Sequence, residues 1–278
     1  MNRILKILAA TVLITAAILI EGCQDSATET NGTEGQVQVL LTDAPFPIDF
    51  VESVDIIIDE VYIRHKDGTD ADFLLLTDED HYTDLTTLRN GNTESIALAG
   101  LPEGMYDHIR IVIQSASITL TDGRTFDLDI PSGETSGLKI FIDPGIEIES
   151  ETTSTLLLDF DLSKSFVVEG NPDTPAGIKG FKLKPVIRAM PLGFAGSIKG
   201  TVTDADGNPI EDAYIIAVSD NIEISTYTDA NGNYEILGLL EGSYDITVSA
   251  SGYIDTISED VMVIESETTE EDFTMQEE

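Results

Sequence analysis

The chain has 278 residues, 52 of them acidic and 14 basic, for a net charge of −38. That balance excludes nucleic acid as a partner, because phosphate backbones are bound by basic side chains that release counterions. It also makes an anionic membrane surface repel the body of the protein, while favouring solubility and tolerance of high salt.

The N-terminus opens with Arg3 and Lys6, followed by an uncharged, aliphatic-rich stretch from Ile7 to Ile20 and then Glu21-Gly22-Cys23. A charged start, an apolar middle and a small residue before the cut are the parts of a secretory signal. As a helix the apolar stretch reaches about 21 Å, short of the roughly 30 Å hydrocarbon core of a bilayer. Cys23 is the sole cysteine, so no disulfide is available. Its placement resembles a bacterial lipoprotein lipobox, which implies removal of residues 1–22 and acylation of Cys23 as the new N-terminus. Glu21 departs from the small or aliphatic residue usual at that position. Gln24 is not the aspartate that retains lipoproteins at the inner membrane in some bacteria, which points to the outer membrane of a Gram-negative bacterium. Residues 23–35 contain no large apolar side chain and read as a flexible tether.

Beyond the tether the apolar residues alternate with period two, the mark of strands. Val37, Val39 and Leu41 share one face, as do Val54, Ile56 and Ile58, then Ile109, Ile111 and Ile113, then Phe126, Leu128 and Ile130. Asp122-Gly123 between two such runs predicts a hairpin with a type I′ turn. Asp43, in LLTDAPFP, stands at a strand end where its side chain can satisfy its own turn. Asp159 and Asp161 fall two apart on a strand, on one face, with Leu158, Phe160 and Leu162 on the other. Two carboxylates so placed suit cation binding or acid–base work, or else line a solvated face and cap the SKSF segment. His65, His81 and His108 stand in unrelated contexts without metal-ligand spacing. The segments 63–73 and 170–180 are polar and turn-rich and predict long loops. VLLTDAP (39–45), LPEGMYDHIRI (101–111), LLLDFDLSKSF (156–166) and GFKLKPVIR (180–188) resemble the DUF4382 domain of bacterial lipoproteins across residues 36–192. That resemblance carries over no functional residues.

Pro191, Gly193 and Gly196 punctuate the chain near residues 190–196 and predict a domain break with few contacts across it. A second domain, residues 194–278, follows with seven short strand patterns: 197–204, 213–219, 223–229, 233–239, 243–250, 260–265 and 270–275. Here GTVTDADGNPIEDAYI, TDANGNYEI and GLLEGSYDITVSASGY resemble the carboxypeptidase regulatory-like domain. The resemblance implies a transthyretin-like sandwich and no catalytic residues. Asp204 and Asp206, and Asp229 and Asn231, look like the start of calcium loops. Their glycines, however, fall at the fourth position of the loop and not the sixth, which fits ordinary turns. LPEGMY before Tyr106 parallels LLEGSY before Tyr244, a glycine two residues ahead of a tyrosine that opens a strand, as in a tyrosine corner.

The expected fold is all-β, with two β-sandwich domains. The C-terminal one is expected as a seven-stranded transthyretin/immunoglobulin-like Greek-key sandwich. No nucleophile–base pair, phosphate loop or dinucleotide fingerprint is present, so the expectation is a non-catalytic envelope lipoprotein without cofactor. It would be held to the membrane by its lipid and would present loops to an extracellular protein or glycan. The alternatives are a glycan or divalent-cation receptor, or an accessory to a polymer-degrading enzyme. With aromatics at 6% and no tryptophan, stacking platforms for sugars are sparse.

Overall fold

The computed structural model describes residues 34–44, 50–130, 136–219 and 222–278. Cys23, the signal segment and nearly all of the tether lie outside the described residues. Glu34 and Gly35, assigned above to the tether, are already paired in the first strand. No helix among the described residues is long and apolar enough to cross a membrane.

The first module is built from β1 (Glu34–Ala44), β2 (Val51–His65), β3 (Phe73–Thr77), β4 (His81–Asp84), β5 (Glu94–Pro102), β6 (Gly104–Leu120), β7 (Thr125–Asp127), β8 (Leu138–Ile148), β9 (Thr153–Asp161), β10 (Phe166–Gly170), β11 (Ile178–Leu183) and β12 (Ile187–Pro191). Stiff β-branched side chains at alternate positions favour the pleat and fill one face. The alternating sets of β1, β2 and β6 named above are all 2% exposed or less. Each such burial contributes about 1.5–3 kcal/mol. The strands form two halves, β3-β2-β6-β8 and β12-β9-β1-β5, with β4 beside β2 and β7 beside β6. A single parallel bridge from Ile142 in β8 to Ala189 in β12 joins the halves. Their inner faces close on one shared core. The module is therefore a sandwich whose sheets meet at one corner. β10 and β11 form a separate hairpin, with Phe181 edge-on to Phe126.

The second module holds β13 (Ala195–Asp204), β14 (Tyr214–Ser219), β15 (Ile222–Tyr227), β16 (Asn233–Leu240), β17 (Gly242–Ser249), β18 (Tyr253–Ile254), β19 (Thr256–Val263), β20 (Thr268–Glu270) and β21 (Phe273–Glu277). One sheet runs β16-β13-β21-β18 with β20 beside β13, and the other β15-β14-β17-β19. Every predicted run has its strand. Two further strands, β18 and β20, are too short to show a period in the sequence. A core of its own lies between the sheets, centred on Ile198, Ile215, Leu239, Ile246 and Val263.

The Asp122-Gly123 hairpin forms with a different turn. Gly123 alone takes positive φ, and Leu120 both receives a bond from Gly123 N and donates to Arg124 O. This is a three-residue loop closed by a left-handed glycine, not a type I′ turn. Asp206-Gly207 and Asn231-Gly232 repeat the same pattern.

The junction is a single 3-10 turn, Leu192–Phe194, but contact across it is more extensive than its glycines predict. Asn90, left-handed at φ 60°, receives a bond on Oδ1 from Glu235 N at 2.6 Å. It also donates from Nδ2 to Asn233 O and from its backbone to Thr226 Oγ1, each at 3.2 Å. A side chain on neighbouring Gly91 would collide with Glu235. Arg188 donates to Gly238 O, Lys164 donates to Glu223 O, and Arg89 pairs with Asp212. The described residues of the two modules accordingly form one compact unit.

Candidate functional site

The aspartates singled out in the first module sit where β1 and β9 run parallel, Asp43 in register with Phe160 between Asp159 and Asp161. Paired residues of adjacent strands share a face, so Asp43 projects toward the core and the other two project away. The three do not converge into one site. Asp161 caps the turn Leu162–Ser165, accepting from Lys164 N at 3.1 Å, and pairs with Lys164 Nζ at 2.9 Å. Asp159 does not line a solvated face: it is buried, and its Oδ2 meets Arg188 Nη2 at 3.0 Å. The second module covers this side of β9, with Gly238 packed against Leu157.

Burial raises the Asp159 pKa, and Arg188 opposes the rise. Asp43 accepts one bond, from Leu162 N at 3.2 Å, and its Oδ2 is buried without a partner. Burial first, then the nearby charge of Asp159, pushes its carboxyl well above the usual carboxylate range. Among the described residues, no three His, Cys, Asp or Glu side chains are disposed to hold a metal ion.

In the second module, Asp204 Oδ1 accepts from the backbone of Asp206 and Asn208, and Oδ2 accepts from Asn208 Nδ2. Asp229 is bonded in the same way by Asn231 and Asn233. In both turns the side-chain and backbone bonds lower the carboxylate pKa against the opposing effect of desolvation. Both carboxylates are engaged in their own turns.

A different group of side chains collects on the outer face of β3-β2-β6-β8. Register places Leu75, Tyr62, Arg110 and Lys139 in one row, and Phe73, Arg64, His108 and Phe141 in the next. Arg110 Cζ lies 4.0 Å from the Tyr62 ring centre and 4.8 Å from that of Phe73. Arg64 and Lys139 approach the same Phe73 ring at 5.7 and 6.0 Å. Such contacts contribute about 0.5–1 kcal/mol at exposed sites. Phe141 is 57% exposed and meets His108 edge-on.

From the turn between β2 and β3, Asp70 reaches over this face and bridges Arg64 Nη1 at 3.1 Å and Lys139 Nζ at 2.8 Å. Arg64 also meets Asp107 at 3.2 Å. Arg64, Arg89, Arg124 and Arg188 each hold a carboxylate. Among the described residues, Arg110 has none within ion-pair distance, and its Nε is buried without a hydrogen-bond partner.

No single segment of the sequence reveals this face, because four strands and a turn supply it. Its signal is present all the same: outward positions of β2, β6 and β8 carry Tyr62, Arg64, His108, Arg110, Lys139 and Phe141, in a chain where acids far outnumber bases. The segment 63–73, predicted as a long loop, holds a seven-residue turn, 66–72, with strand at both ends where β2 closes and β3 opens. Residues 170–180 are likewise ordered, around a 3-10 turn at Pro175–Gly177 whose backbone Arg124 grips at Pro175 O and Ile178 O.

Two joined all-β modules, the first bearing a cation–aromatic face and the second almost purely acidic, define a modular β-sandwich protein. The family model described as domain of unknown function DUF4382 matches residues 34–185, and the chain belongs to that family. The carboxypeptidase regulatory-like domain matches residues 197–276, an immunoglobulin-like sandwich appended to it. Neither description names a catalytic activity. Structural protein 27 of a virus (isolate Australia/Victoria) is 44% identical over 57 residues, which is 20% of this chain and 10% of that protein.

Among solved structures, hydroxyquinol 1,2-dioxygenase from Pseudomonas putida aligns with 31% of this chain and 57% of its own, at 12% identity and a TM-score of 0.27. The Bacillus anthracis TIE protein aligns with 88% of this chain and 34% of its own, at 13% identity and a TM-score of 0.26. BcpA, the major pilin subunit of Bacillus cereus, aligns with 88% of this chain and 100% of its own, at 11% identity and a TM-score of 0.25.

Proposed function

We propose that the protein is a non-catalytic envelope lipoprotein, anchored through Cys23, that binds its ligand on the outer face of the first module. The observation that carries this reading is Arg110, a guanidinium stacked over two rings and, among the described residues, without a carboxylate partner, in a chain of net charge −38. Elsewhere the conspicuous carboxylates are engaged in structure: Asp159 with Arg188, Asp161 at a helical cap, and Asp204 and Asp229 in turns. The second module supports the first through the Asn90 and Arg188 contacts and presents no comparable basic face. Of the 14 lysines and arginines, only Lys199 falls within residues 197–278.

The test is binding of the full chain, extracted in detergent, to isolated envelope fractions. Binding should weaken at least tenfold in Arg110→Met and in Lys139→Met, with both variants still showing the wild-type β-sheet circular dichroism spectrum. Undiminished binding by both variants would reject the reading. For the anchor, Cys23→Ala should free the chain from membranes or leave it unprocessed; a processed variant that resists a carbonate wash would remove the lipid from the account. A screen of peptides, esters and polysaccharides should give no turnover.

A further inference from the structure

We propose that the outer face recognises a polysaccharide bearing carboxylates, a polyuronate, and that Asp70 is a resident carboxylate which the ligand displaces. The proposal rests on the reading above and adds the ligand class and the device that tunes it.

Asp70 shows what the face accepts. Its two oxygens span Arg64 and Lys139, cations from different strands, and the side chain itself is 68% exposed. It is delivered by the 66–72 turn, pinned at its base by Thr69 and Asp72, whose carboxylate receives both the Thr69 backbone and hydroxyl at 2.7 Å. A ligand carboxylate arriving beside it meets Arg110, whose planar fork suits bidentate recognition. Lys139 can then exchange Asp70 for the newcomer, since its ammonium has three donors on a flexible stem.

The exposed Phe141 stands two residues along β8 from Lys139, on the same face. It offers an apolar surface to a sugar ring whose carboxylate is held by the cations. A cation row beside a ring suits a charged sugar, so the scarcity of aromatics in the chain counts against a neutral glycan more than against an acidic one.

An acidic peptide is the competing occupant. Extended peptides commonly bind by adding a strand to a free sheet edge. The free edge here is β3, and β8 lies three strands away, about 14 Å at the usual strand spacing. A strand added at β3 would not reach Lys139 or Phe141. Lys139 and Phe141 are open to solvent, within reach of a polymer laid across the strands. Salt screens charges farther away than a Debye length, about 8 Å at physiological ionic strength, so a ligand seated on the face feels mainly Arg64, Arg110 and Lys139 and little of the remaining negative charge.

The experiment is calorimetric titration of the full chain with polygalacturonate, with dextran and poly-glutamate as comparison arms. Polygalacturonate should bind the wild type and dextran should not. Arg110→Met and Lys139→Met should each weaken binding at least tenfold, and Asp70→Asn should tighten it several-fold. Lys139 is partly exposed, so its variant remains informative if Arg110→Met misfolds. The proposal is overturned if neither the wild type nor Asp70→Asn binds polygalacturonate, if both cation variants bind as before, or if Asp70→Asn binds more weakly. Poly-glutamate binding as tightly as polygalacturonate would also overturn it, by assigning the face to an acidic protein. Arg110-dependent envelope binding without polygalacturonate affinity would reject the ligand class while leaving the role of the face intact.

Discussion

Tyr106 in the first module and Tyr244 in the second end equivalent turns. Each hydroxyl donates to the carbonyl four residues back, Pro102 at 2.9 Å and Leu240 at 3.0 Å. Each follows by two residues a glycine at φ +146° or +158°, Gly104 and Gly242. Around this shared corner the modules diverge. The first holds most of the basic residues and gathers Arg64, Arg110 and Lys139 on one face; the second keeps a single lysine, Lys199. A local backbone device can recur wherever a sandwich needs it, because its bonds span four residues. A binding face must be assembled from several strands and is specific to one module.

The sharpest way to break the comparison is at a basic residue of each module. Arg188→Met strands the buried carboxylate of Asp159 and removes the donor to Gly238 O. Breaking a buried pair by removing one partner costs about 3–5 kcal/mol. Protonation of Asp159 limits that cost at low pH, so the loss should be larger at pH 8 than near pH 4. Lys199→Met removes an exposed pair with Glu270, which contributes about 0–1 kcal/mol. Denaturant unfolding of both variants at the two pH values measures the contrast. Equal losses would mean that Arg188 is not buried against a charge.

Asp43 tests the same interior from its acid side. Its folded pKa is raised by burial and by Asp159, with Asp161 and Asp84 adding to the effect. Below the unfolded value of about 3.9 the carboxyl is protonated in both states and costs nothing. As pH rises above that value the unfolded chain ionises while the folded one resists, so stability falls until the raised folded pKa is passed. Asp43→Asn removes this titration and retains an acceptor for Leu162 N. Its melting temperature relative to wild type should therefore climb as pH goes from 4 to 8. A difference that stays flat with pH would show that Asp43 ionises normally.

Asn90 measures how far the modules depend on each other. Asn90→Gly keeps the left-handed backbone and loses the bonds to Glu235 N and Asn233 O. Two such bonds contribute about 1–3 kcal/mol together. Calorimetry should show the joint melting of the wild type giving way to two separated transitions. Residues 194–278 alone should still fold, with a dispersed amide spectrum and lower stability than in the chain, because their core is self-contained.

The contrast between legible and illegible parts follows the range of the interactions. Alternation along β1, β2 and β6 announces strands because a strand's period is carried by residues two apart. The tyrosine corner is readable for the same reason, since glycine, tyrosine and acceptor fall within five residues. The turn at Asp122-Gly123 is only half readable: the glycine's positive φ is foreseeable, but the loop length depends on which backbone groups Leu120 meets. The Asn90 contacts join residues more than 130 positions apart, and Arg110 meets Phe73 and Lys139 only once β2, β3, β6 and β8 are in register. Asp159 reads as solvated in the sequence because nothing in its own strand shows that the second module covers it.

The finest test returns to the two corners. Tyr106→Phe and Tyr244→Phe each delete one hydroxyl and leave a backbone carbonyl short of its donor, with the ring and its packing kept. A hydrogen bond of this kind contributes about 1 kcal/mol, with a spread of about 0.5. The surroundings differ: Tyr106 meets the His65 ring edge-on at 5.4 Å, whereas the Tyr244 hydroxyl feels the charge of Arg188 in the other module. If the corner is a local device, these differences are secondary and the two losses should agree to within about 0.5 kcal/mol, the tolerance expected of independent sites. If Tyr244→Phe costs markedly more, its corner is bound up with the interface, and the excess should vanish when the change is repeated on Arg188→Met. Urea unfolding of the two single variants and of the Tyr244→Phe, Arg188→Met pair supplies all the terms, and equal losses with an additive pair would place the corner wholly within four residues of chain.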